Sequence, residues 1–215
     1  MAIQLQLAVD APEHFVLIPR LAKYFDIIEV GTPVLKRFGL SAISTALELS
    51  SGKPVLADTK TADGGALEAE MVFSAGASMM TVLANASPAT RKNAEAVAAR
   101  FGREVIFDTI LDPNFDPSVL SDGGAAAGIW LALHAPSDMR RSGVENDDHI
   151  VRVAARRQDG YRISLAGGIR RENLDKVLDV APEIVVVGSG VTEALDPEGE
   201  ASWIRNRIVA TSRGE

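Results

Sequence analysis

The sequence contains no cysteine and only three histidines. Without thiols, the chain cannot form disulfides, use a thiolate nucleophile or bind a metal through sulfur. Any metal site must therefore depend mainly on oxygen ligands. Because oxygen ligands favour hard divalent cations, the positions of the aspartates and glutamates become the most informative feature of the sequence.

Basic residues in excess and long apolar runs are also missing. The formal net charge is −7 and the isoelectric point is near 5.1, which argues against a nucleic-acid partner because such proteins present a basic face. The sequence has no basic amphipathic stretch of the kind that binds a membrane surface. It also has no run of about 20 apolar residues, which is the length needed to span a membrane. Residues Met1 to Leu7 lack the pattern of a signal peptide, so we expect a cytoplasmic protein.

What the sequence does contain is a regular alternation of short apolar runs and helix-like segments. Its 215 residues, 47% hydrophobic and 24% charged, include no Pro/Ser-rich linker and no charge block, so we expect one domain over residues 1–215. The candidate strands are Gln4–Val9, Ile27–Val30, Pro54–Ala57, Met79–Leu83, Glu104–Phe107, Ile129–Leu133, Arg162–Ala166 and Ile184–Val187. The candidate helices include Pro12–Tyr24, Gly39–Leu49, Ala66–Ala75, Pro88–Phe101 and Arg171–Val180.

Strands that alternate with helices favour a parallel sheet of the α/β class with right-handed crossovers. We predict a closed (β/α)8 TIM barrel, and a doubly wound open sheet is the alternative. The first strand has two alternating sets of residues, Leu5, Leu7 and Val9 against Gln4, Gln6, Ala8 and Asp10. In a barrel the first set would pack against helices, and the second would line the interior and end with Asp10 at the carboxyl end.

The segment from Val55 to Gly65 places three charged residues directly after an apolar run. Asp58 and Lys60 are two residues apart, so they point to the same side of an extended chain, and Asp63 follows on the turn before the next helix. The carboxyl end of a barrel strand is where enzymes with this fold keep their chemistry. The alternative is a solvated turn with an ordinary ion pair.

Acidic residues also end several other candidate strands. Asp10 follows the first strand, Glu29 takes the inward position of the second, and Asp108 closes the fifth. Together with Asp58 and Asp63 they would crowd one rim, where like charges raise each other's pKa unless a cation compensates them. We therefore predict a Mg²⁺ ion bound by Glu29 and Asp58. For Asp10 the alternative is a helix cap.

Glycines follow the last two candidate strands. Gly167 and Gly168 come after the seventh strand, and Gly188 and Gly190 enclose Ser189 after the eighth. Backbone amides at such positions can approach an anion closely, and this is a frequent phosphate site in barrels. We predict that these five residues bind a phosphate group.

His134 ends the sixth candidate strand at the same rim. A histidine that faces carboxylates can act as a general acid and base near neutral pH, and the alternative is a hydrogen-bonded core residue. We assign the strand-end acid Asp108 to substrate binding. His14 and His149 lie in polar surroundings in the sequence, and we assign them no role.

These segments together resemble the orotidine 5'-monophosphate decarboxylase suprafamily, and within it the branch of 3-hexulose-6-phosphate synthase and 3-keto-L-gulonate-6-phosphate decarboxylase. The resemblance covers nearly the whole chain, and its most specific part is the spacing Asp58-x-Lys60-x-x-Asp63 with Glu29-Val30-Gly31-Thr32 upstream. It implies a Mg²⁺-dependent lyase that acts on a sugar phosphate through an enediolate, with Glu29 and Asp58 as metal ligands.

The resemblance also implies roles for the other charged residues. Asp10 and Lys60 would contact the substrate, and His134 would be the general acid and base. Asp63 would reach into the partner's site in a homodimer.

Two positions favour the synthase over the decarboxylase. Ser137 stands three residues after His134, where the decarboxylases of the branch have an arginine, and Ser189 stands where they have a phosphate-binding arginine. We therefore expect aldol condensation of formaldehyde with ribulose 5-phosphate, and its reverse. Decarboxylation of 3-keto-L-gulonate 6-phosphate, with Arg140 or Arg141 replacing the missing arginine, is the alternative. A non-catalytic sugar-phosphate-binding protein is a further alternative.

Overall fold

The computed structural model describes residues 3–112, 114–120, 128–136, 138 and 159–213. Parallel strands pair in sequence order, and the first pairs with the last, so that the sheet closes into a barrel. The strands are β1 Gln4–Val9, β2 Ile27–Val30, β3 Val55–Thr61, β4 Met79–Leu83, β5 Glu104–Asp108, β6 Trp130–His134, β7 Arg162–Ala166 and β8 Ile184–Val187. The predicted (β/α)8 barrel is confirmed, and the open sheet is excluded.

Helical segments connect the strands. The α-helices are α1 Ile18–Leu21, α2 Thr32–Phe38, α3 Ser41–Leu49, α4 Gly65–Ser74, α5 Pro88–Phe101, α6 Leu174–Asp179, α7 Ser189–Thr192 and α8 Pro197–Arg213. Short 3-10 helices cover Pro12–Leu17, Ala22–Tyr24 and Pro117–Leu120. Among the described residues, no helix has both the length and the apolar character that a membrane crossing requires.

Several boundaries differ from the sequence-based prediction. The single helix predicted over Pro12–Tyr24 is divided into the short α1 and two flanking 3-10 helices, because Pro19 has no N–H and favours the first turn of a helix. The prediction omitted α2, which has a proline in its first turn. Strand β3 continues to Thr61 instead of ending at Ala57, so Asp58 and Lys60 belong to the strand itself.

The side chains of β1 alternate between two separate layers, as predicted. Leu5, Leu7 and Val9 are fully buried in the larger core cluster, between the sheet and the helices. Ala8 faces the barrel interior, where it packs in a second cluster with Ile27, Leu56, Met79, Ile106, Trp130, Ala132, Ile184 and Val186. Gln4 differs from the prediction because it is exposed at the start of the strand.

The amino end of the barrel carries a stacked pair of large side chains. The guanidinium Cζ of Arg162 lies 3.7 Å from the centre of the Trp130 ring, and its Nη1 lies 2.9 Å from Glu104 Oε1. All three residues stand at or near the first positions of their strands. Because the interior is filled by the second cluster and this pair, polar chemistry is confined to the carboxyl ends of the strands.

Candidate active site

A cavity of about 720 Å³ opens at the carboxyl ends of the strands. It is lined by eleven of the twelve residues predicted from the sequence as site residues: Asp10, Glu29, Asp58, Lys60, Asp108, His134, Gly167, Gly168, Gly188, Ser189 and Gly190. These residues come from segments distributed over most of the chain, so closure of the barrel is what brings them together. The twelfth residue, Asp63, does not line the cavity.

Asp58 is held by three hydrogen-bond donors. The hydroxyl of Thr81 donates to Oδ1 at 2.7 Å, and the hydroxyl of Thr32 and the ammonium of Lys60 donate to Oδ2 at 2.8 and 2.5 Å. The residue is only 5% exposed. Since both oxygens are engaged, the orientation of the Asp58 carboxylate is fixed before any ligand binds.

The backbone of β3 is irregular at Lys60. Its φ is +48°, a left-handed conformation that costs about 1–3 kcal/mol for a residue with a side chain. The pairing of β3 with β4 shifts register between Ala57 and Thr61. The hydroxyl of Thr81 accepts a hydrogen bond from the N–H of Lys60 at 2.9 Å. This local distortion accompanies the entry of both Asp58 and Lys60 into the cavity.

Lys60 bridges two acids on different strands. Its Nζ lies 2.5 Å from Asp58 Oδ2 and 3.3 Å from Asp108 Oδ2. Burial alone would lower the pKa of Lys60, but the charges of the two carboxylates outweigh burial and raise that pKa above its ordinary value. Lys60 therefore remains a cation at the pH of a cell, and it is available to donate hydrogen bonds to an anionic substrate.

Asp108 connects Lys60 to His134. Its Oδ2 lies 3.3 Å from Nδ1 of His134, and its Oδ1 accepts the N–H of Ile110 at 2.8 Å. Burial would raise the pKa of Asp108, but the hydrogen bond and charge of His134, together with Lys60, lower it. These contacts suit a carboxylate that orients His134 and leaves Nε2 for proton transfer. The substrate-binding role that the sequence suggested for Asp108 stays a prediction.

Glu29 lies deeper in the cavity and is 8% exposed. Its Oε2 accepts a hydrogen bond from Nε2 of Gln6 at 2.5 Å. Burial, followed by the charges of Asp58 and Asp10, raises the pKa of Glu29 to about 8. Burial and the charge of Asp58 also raise the pKa of Asp10. In the described part of the chain neither Glu29 nor Asp10 has a salt-bridge partner.

The acids of the cavity suit a hard divalent cation. Among the described residues, no group of three or more His, Asp or Glu side chains is arranged to hold a metal ion by itself. Mg²⁺ does not need one, because it is usually bound by one or two carboxylates together with water and substrate oxygens. Burial first, and then the charges of Asp58 and Asp10, raise the pKa of Glu29, so a cation bound there would stabilise its ionised form. Glu29 and Asp58 therefore fit the two protein ligands of such a site.

Asp10 lies between two glycines. A Cβ atom at Gly31 would overlap Oδ1 of Asp10, whereas one at Gly188 would lie 3.5 Å from Oδ2. The carboxylate can enter the cavity only because residue 31 has no side chain. The glycine of the Glu-Val-Gly-Thr motif is therefore required on steric grounds, because a side chain at residue 31 would overlap the Asp10 carboxylate.

The loops after β6, β7 and β8 approach one another too closely for side chains at two of their glycines. At Gly190 a Cβ would lie 2.6 Å from the carbonyl oxygen of Ile169, and at Gly167 it would lie 2.8 Å from Cβ of Ala135. Gly167 also has a φ of +107°, which favours glycine. Backbone groups of these loops therefore form part of the cavity wall beside side chains such as Ser189 and Arg170, and backbone amides there can approach an anion. Phosphate binding there stays a prediction.

Asp63 is exposed and outside the cavity. The chain turns at Gly64, whose φ is +65°, and enters α4. The described contact of the Asp63 carboxylate is with the hydroxyl of Thr90, at 3.4 Å. Asp63 does not line the cavity of its own chain, and its contribution to a partner's site stays a prediction.

The sequence interpretation missed several residues that line the cavity, among them Gln6, His14, Thr32, Thr81 and Arg170. Three of them had a signal: Gln6 has the inward parity of β1, Thr81 has the inward parity of β4, and Thr32 follows the Glu29 motif directly. The contacts of Thr81 had no local signal, because its partners lie more than 20 residues earlier in the chain. The ring of His14, to which we assigned no role, has a buried Nδ1 without a hydrogen-bond partner among the described residues.

The two positions used to distinguish synthase from decarboxylase have different outcomes. Ser189 lies on the cavity wall. Ser137, Arg140 and Arg141 lie outside the described residues, as does His149.

The fold and the cavity define a barrel enzyme in which acids, a lysine and a histidine converge beside glycine-rich loops. The model of the Orotidine 5'-phosphate decarboxylase / HUMPS family matches residues 4–204. The chain belongs to this family, as the resemblance predicted, and it is a carbon–carbon lyase.

Individual relatives are similar over almost their whole length. The 3-hexulose-6-phosphate synthase of Bacillus subtilis (strain 168) is 30% identical over 210 residues, which cover 96% of this chain and 99% of that protein. The crystal structure of 3-hexulose-6-phosphate synthase from Salmonella typhimurium has a TM-score of 0.87 at 36% identity, covering 96% and 99% of the two chains. A crystal structure of KGPDC from Streptococcus mutans has a TM-score of 0.86 at 25% identity, covering 96% and 97%.

Proposed function

We propose that the protein is a 3-hexulose-6-phosphate synthase that joins formaldehyde to ribulose 5-phosphate and catalyses the reverse cleavage. The observation that carries the proposal is the connected row of His134, Asp108, Lys60 and Asp58 across the cavity. It combines an oriented proton-transfer group with a fixed cation, which is what enediolate chemistry requires. The relatives named as this synthase support the choice of reaction.

The residues divide the work between binding and chemistry. The backbone after β7 and β8 holds the phosphate, and Asp10 and Lys60 contact the hydroxyl and enediolate oxygens of the substrate. Glu29 and Asp58 would hold Mg²⁺, which supplies Lewis-acid polarisation of oxygen atoms in such a site. The ammonium of Lys60 stays charged because of its two carboxylate neighbours, so it can stabilise the developing negative charge.

His134 is the proton-transfer group of the proposal. A proton leaves C1 of ribulose 5-phosphate to give the enediolate, and the C1 carbon then forms a bond to the carbon of formaldehyde. The alkoxide that results takes up a proton, so the product contains all the atoms of the two substrates. Asp108 keeps His134 oriented through Nδ1 during both transfers.

Decarboxylation of 3-keto-L-gulonate 6-phosphate is the second candidate. It uses the same stabilised enediolate, formed by loss of CO₂ instead of by loss of a proton. The similarity to KGPDC from Streptococcus mutans, with a TM-score of 0.86, supports decarboxylation as the second candidate reaction.

We also propose a homodimer in which Asp63 contributes to the partner's site. Asp63 is exposed beside α4, and Leu67 and Met71 of that helix are 68% and 46% exposed. Because they are four residues apart, both lie on one face of α4. An exposed acid next to an exposed apolar face supports an interface at this position.

The test is turnover by the purified protein with Mg²⁺. We expect loss of ribulose 5-phosphate that depends on formaldehyde, and its abolition by His134→Asn and Lys60→Ala. Lys23→Ala is the matched control, since Lys23 is an exposed lysine that pairs with Glu198 and does not line the cavity. Release of CO₂ from 3-keto-L-gulonate 6-phosphate without formaldehyde-dependent turnover would favour the decarboxylase instead. A melting-temperature shift with ribulose 5-phosphate, but no turnover of either substrate, would favour a binding protein.

A further inference from the structure

Gln6 is a buried amide of the cavity to which the proposed reaction gives no role. It is 2% exposed and pairs with Ile27 of β2 and Val186 of β8 in the barrel sheet. Its Nε2 donates to Oε2 of Glu29 at 2.5 Å. Its Oε1 is also buried, and it has no hydrogen-bond partner among the described residues.

A half-satisfied buried amide is unfavourable, because its carbonyl has lost water without gaining another donor. The neighbouring inward positions Ile27 and Val186 show that this level of the barrel accepts apolar side chains. An amide at residue 6 is therefore not needed to fill space. Since Gln6 lines the cavity, the missing donor for Oε1 can come from a ligand that enters it.

The orientation of the amide follows from its partner. With a cation bound, Glu29 is ionised and its carboxylate only accepts hydrogen bonds, so the N–H side of Gln6 then faces Glu29 and the carbonyl side faces away from it. The carbonyl oxygen can only accept, so its partner must carry an O–H or N–H group. Water bound to a cation and the hydroxyl groups of a sugar phosphate both meet this requirement.

We propose that Gln6 is a positioning residue for the cation site. Its N–H fixes Oε2 of Glu29 and so presents the rest of that carboxylate to the ion. Its Oε1 accepts a hydrogen bond from an O–H group that arrives with the ligand, either a water on the cation or a hydroxyl of the sugar phosphate. The inference rests on the proposed Mg²⁺ site of Glu29 and Asp58.

The first experiment measures binding of Mn²⁺ alone, from the electron paramagnetic resonance signal of the free ion, to the full chain. Gln6→Leu and Gln6→Met keep the approximate size of the side chain and remove the donor and the acceptor. We expect both to weaken Mn²⁺ binding by about 10- to 100-fold, as is typical when a group that orients a metal ligand is removed. Gln4→Leu, at the exposed start of the same strand, should bind like the wild type.

The outcomes separate this inference from the function on which it rests. Wild-type protein that binds no Mn²⁺ would remove the metal site and Gln6's role together. Wild-type binding, with both Gln6 variants folded and within about twofold of it, would overturn the positioning role alone and leave the proposed function in place. Thermal melting of each variant establishes that it is folded.

A second measurement identifies the donor to Oε1. At saturating Mg²⁺, the KM for ribulose 5-phosphate is compared between the wild type and Gln6→Leu. Weakened Mn²⁺ binding with an unchanged KM assigns the donor to water on the cation. Weakened Mn²⁺ binding with a KM raised about tenfold assigns it to a substrate hydroxyl. A raised KM with unchanged Mn²⁺ binding contradicts the proposal, because Gln6 would then act on the substrate only.

Discussion

A substitution at Thr81 tests whether its single hydroxyl group holds both Lys60 and Asp58 in position. Its Oγ1 donates to Oδ1 of Asp58 at 2.7 Å and accepts the backbone N–H of Lys60 at 2.9 Å. The residue is 6% exposed, so water cannot readily replace either hydrogen bond. The substitution Thr81→Val keeps the shape of the side chain and removes both interactions.

The expected loss can be worked from these two contacts. A hydrogen bond to a charged group contributes about 1.5–3 kcal/mol, and a buried N–H left without a partner costs about 1–3 kcal/mol. Because the valine methyl replaces some lost packing, we expect the free energy of unfolding to fall by about 3 kcal/mol. For a protein of this size the melting temperature should then fall by about 6–12 °C. We also expect kcat to fall by about tenfold or more, because Lys60 and Asp58 lose their common anchor.

Thermal unfolding followed by circular dichroism, together with steady-state kinetics, measures both effects. Thr81→Ser is the control, since it keeps the hydroxyl and loses only a methyl group. It should stay closer to the wild type than Thr81→Val in melting temperature and in kcat. A valine variant that melts within about 2 °C of the wild type with unchanged kcat would refute the argument.

Three further predictions use other parts of the structure. Mn²⁺ affinity should rise about tenfold per pH unit and level off above about pH 8. The reason is that Glu29, whose pKa is raised to about 8, must lose its proton to bind a cation. An affinity that does not change between about pH 6 and 8 would contradict this prediction. Burial would raise the pKa of Asp26, but Arg205 and a backbone N–H lower it, so its stabilising effect is full above the ordinary pKa and is lost as pH falls through the lowered value. Asp26→Asn should therefore lower the melting temperature by about 4–8 °C at neutral pH and by less below about pH 4, and a difference independent of pH would count against it. Finally, mixing inactive Asp63→Ala and His134→Ala proteins should restore up to about a quarter of wild-type activity if Asp63 acts across a dimer, and no recovery would exclude that arrangement.

The parts of the fold that could be predicted are those in which burial alone determines the pattern. The strands were found because alternation in β1 separates core residues from interior ones, and Leu7 and Ala8 do lie in different clusters. The acids at strand ends were found for the same reason, since each interrupts an apolar run. In parallel strands those ends meet at one mouth, which allowed Glu29 and Asp58 to be placed in one cavity.

The features that could not be predicted depend on contacts between distant segments. Lys60 adopts a left-handed backbone conformation that its own sequence does not favour, and it is held there by Thr81, which is 21 residues away. The bond between Gln6 and Glu29 joins residues that are 23 positions apart. A single sequence contains no local signal for any of these.

The row from His134 to Asp58 has a consequence for the interpretation of substitutions. Lys60 is the cation shared by the buried carboxylates of Asp58 and Asp108, so removing it leaves both acids without that counter-charge. The effect of a single alanine therefore combines the loss of that group with the strain on what remains, and the separate effects will not add. Pairs such as Lys60 and Asp108 need double-mutant cycles, because only the coupling energy tells how much either residue contributes by itself.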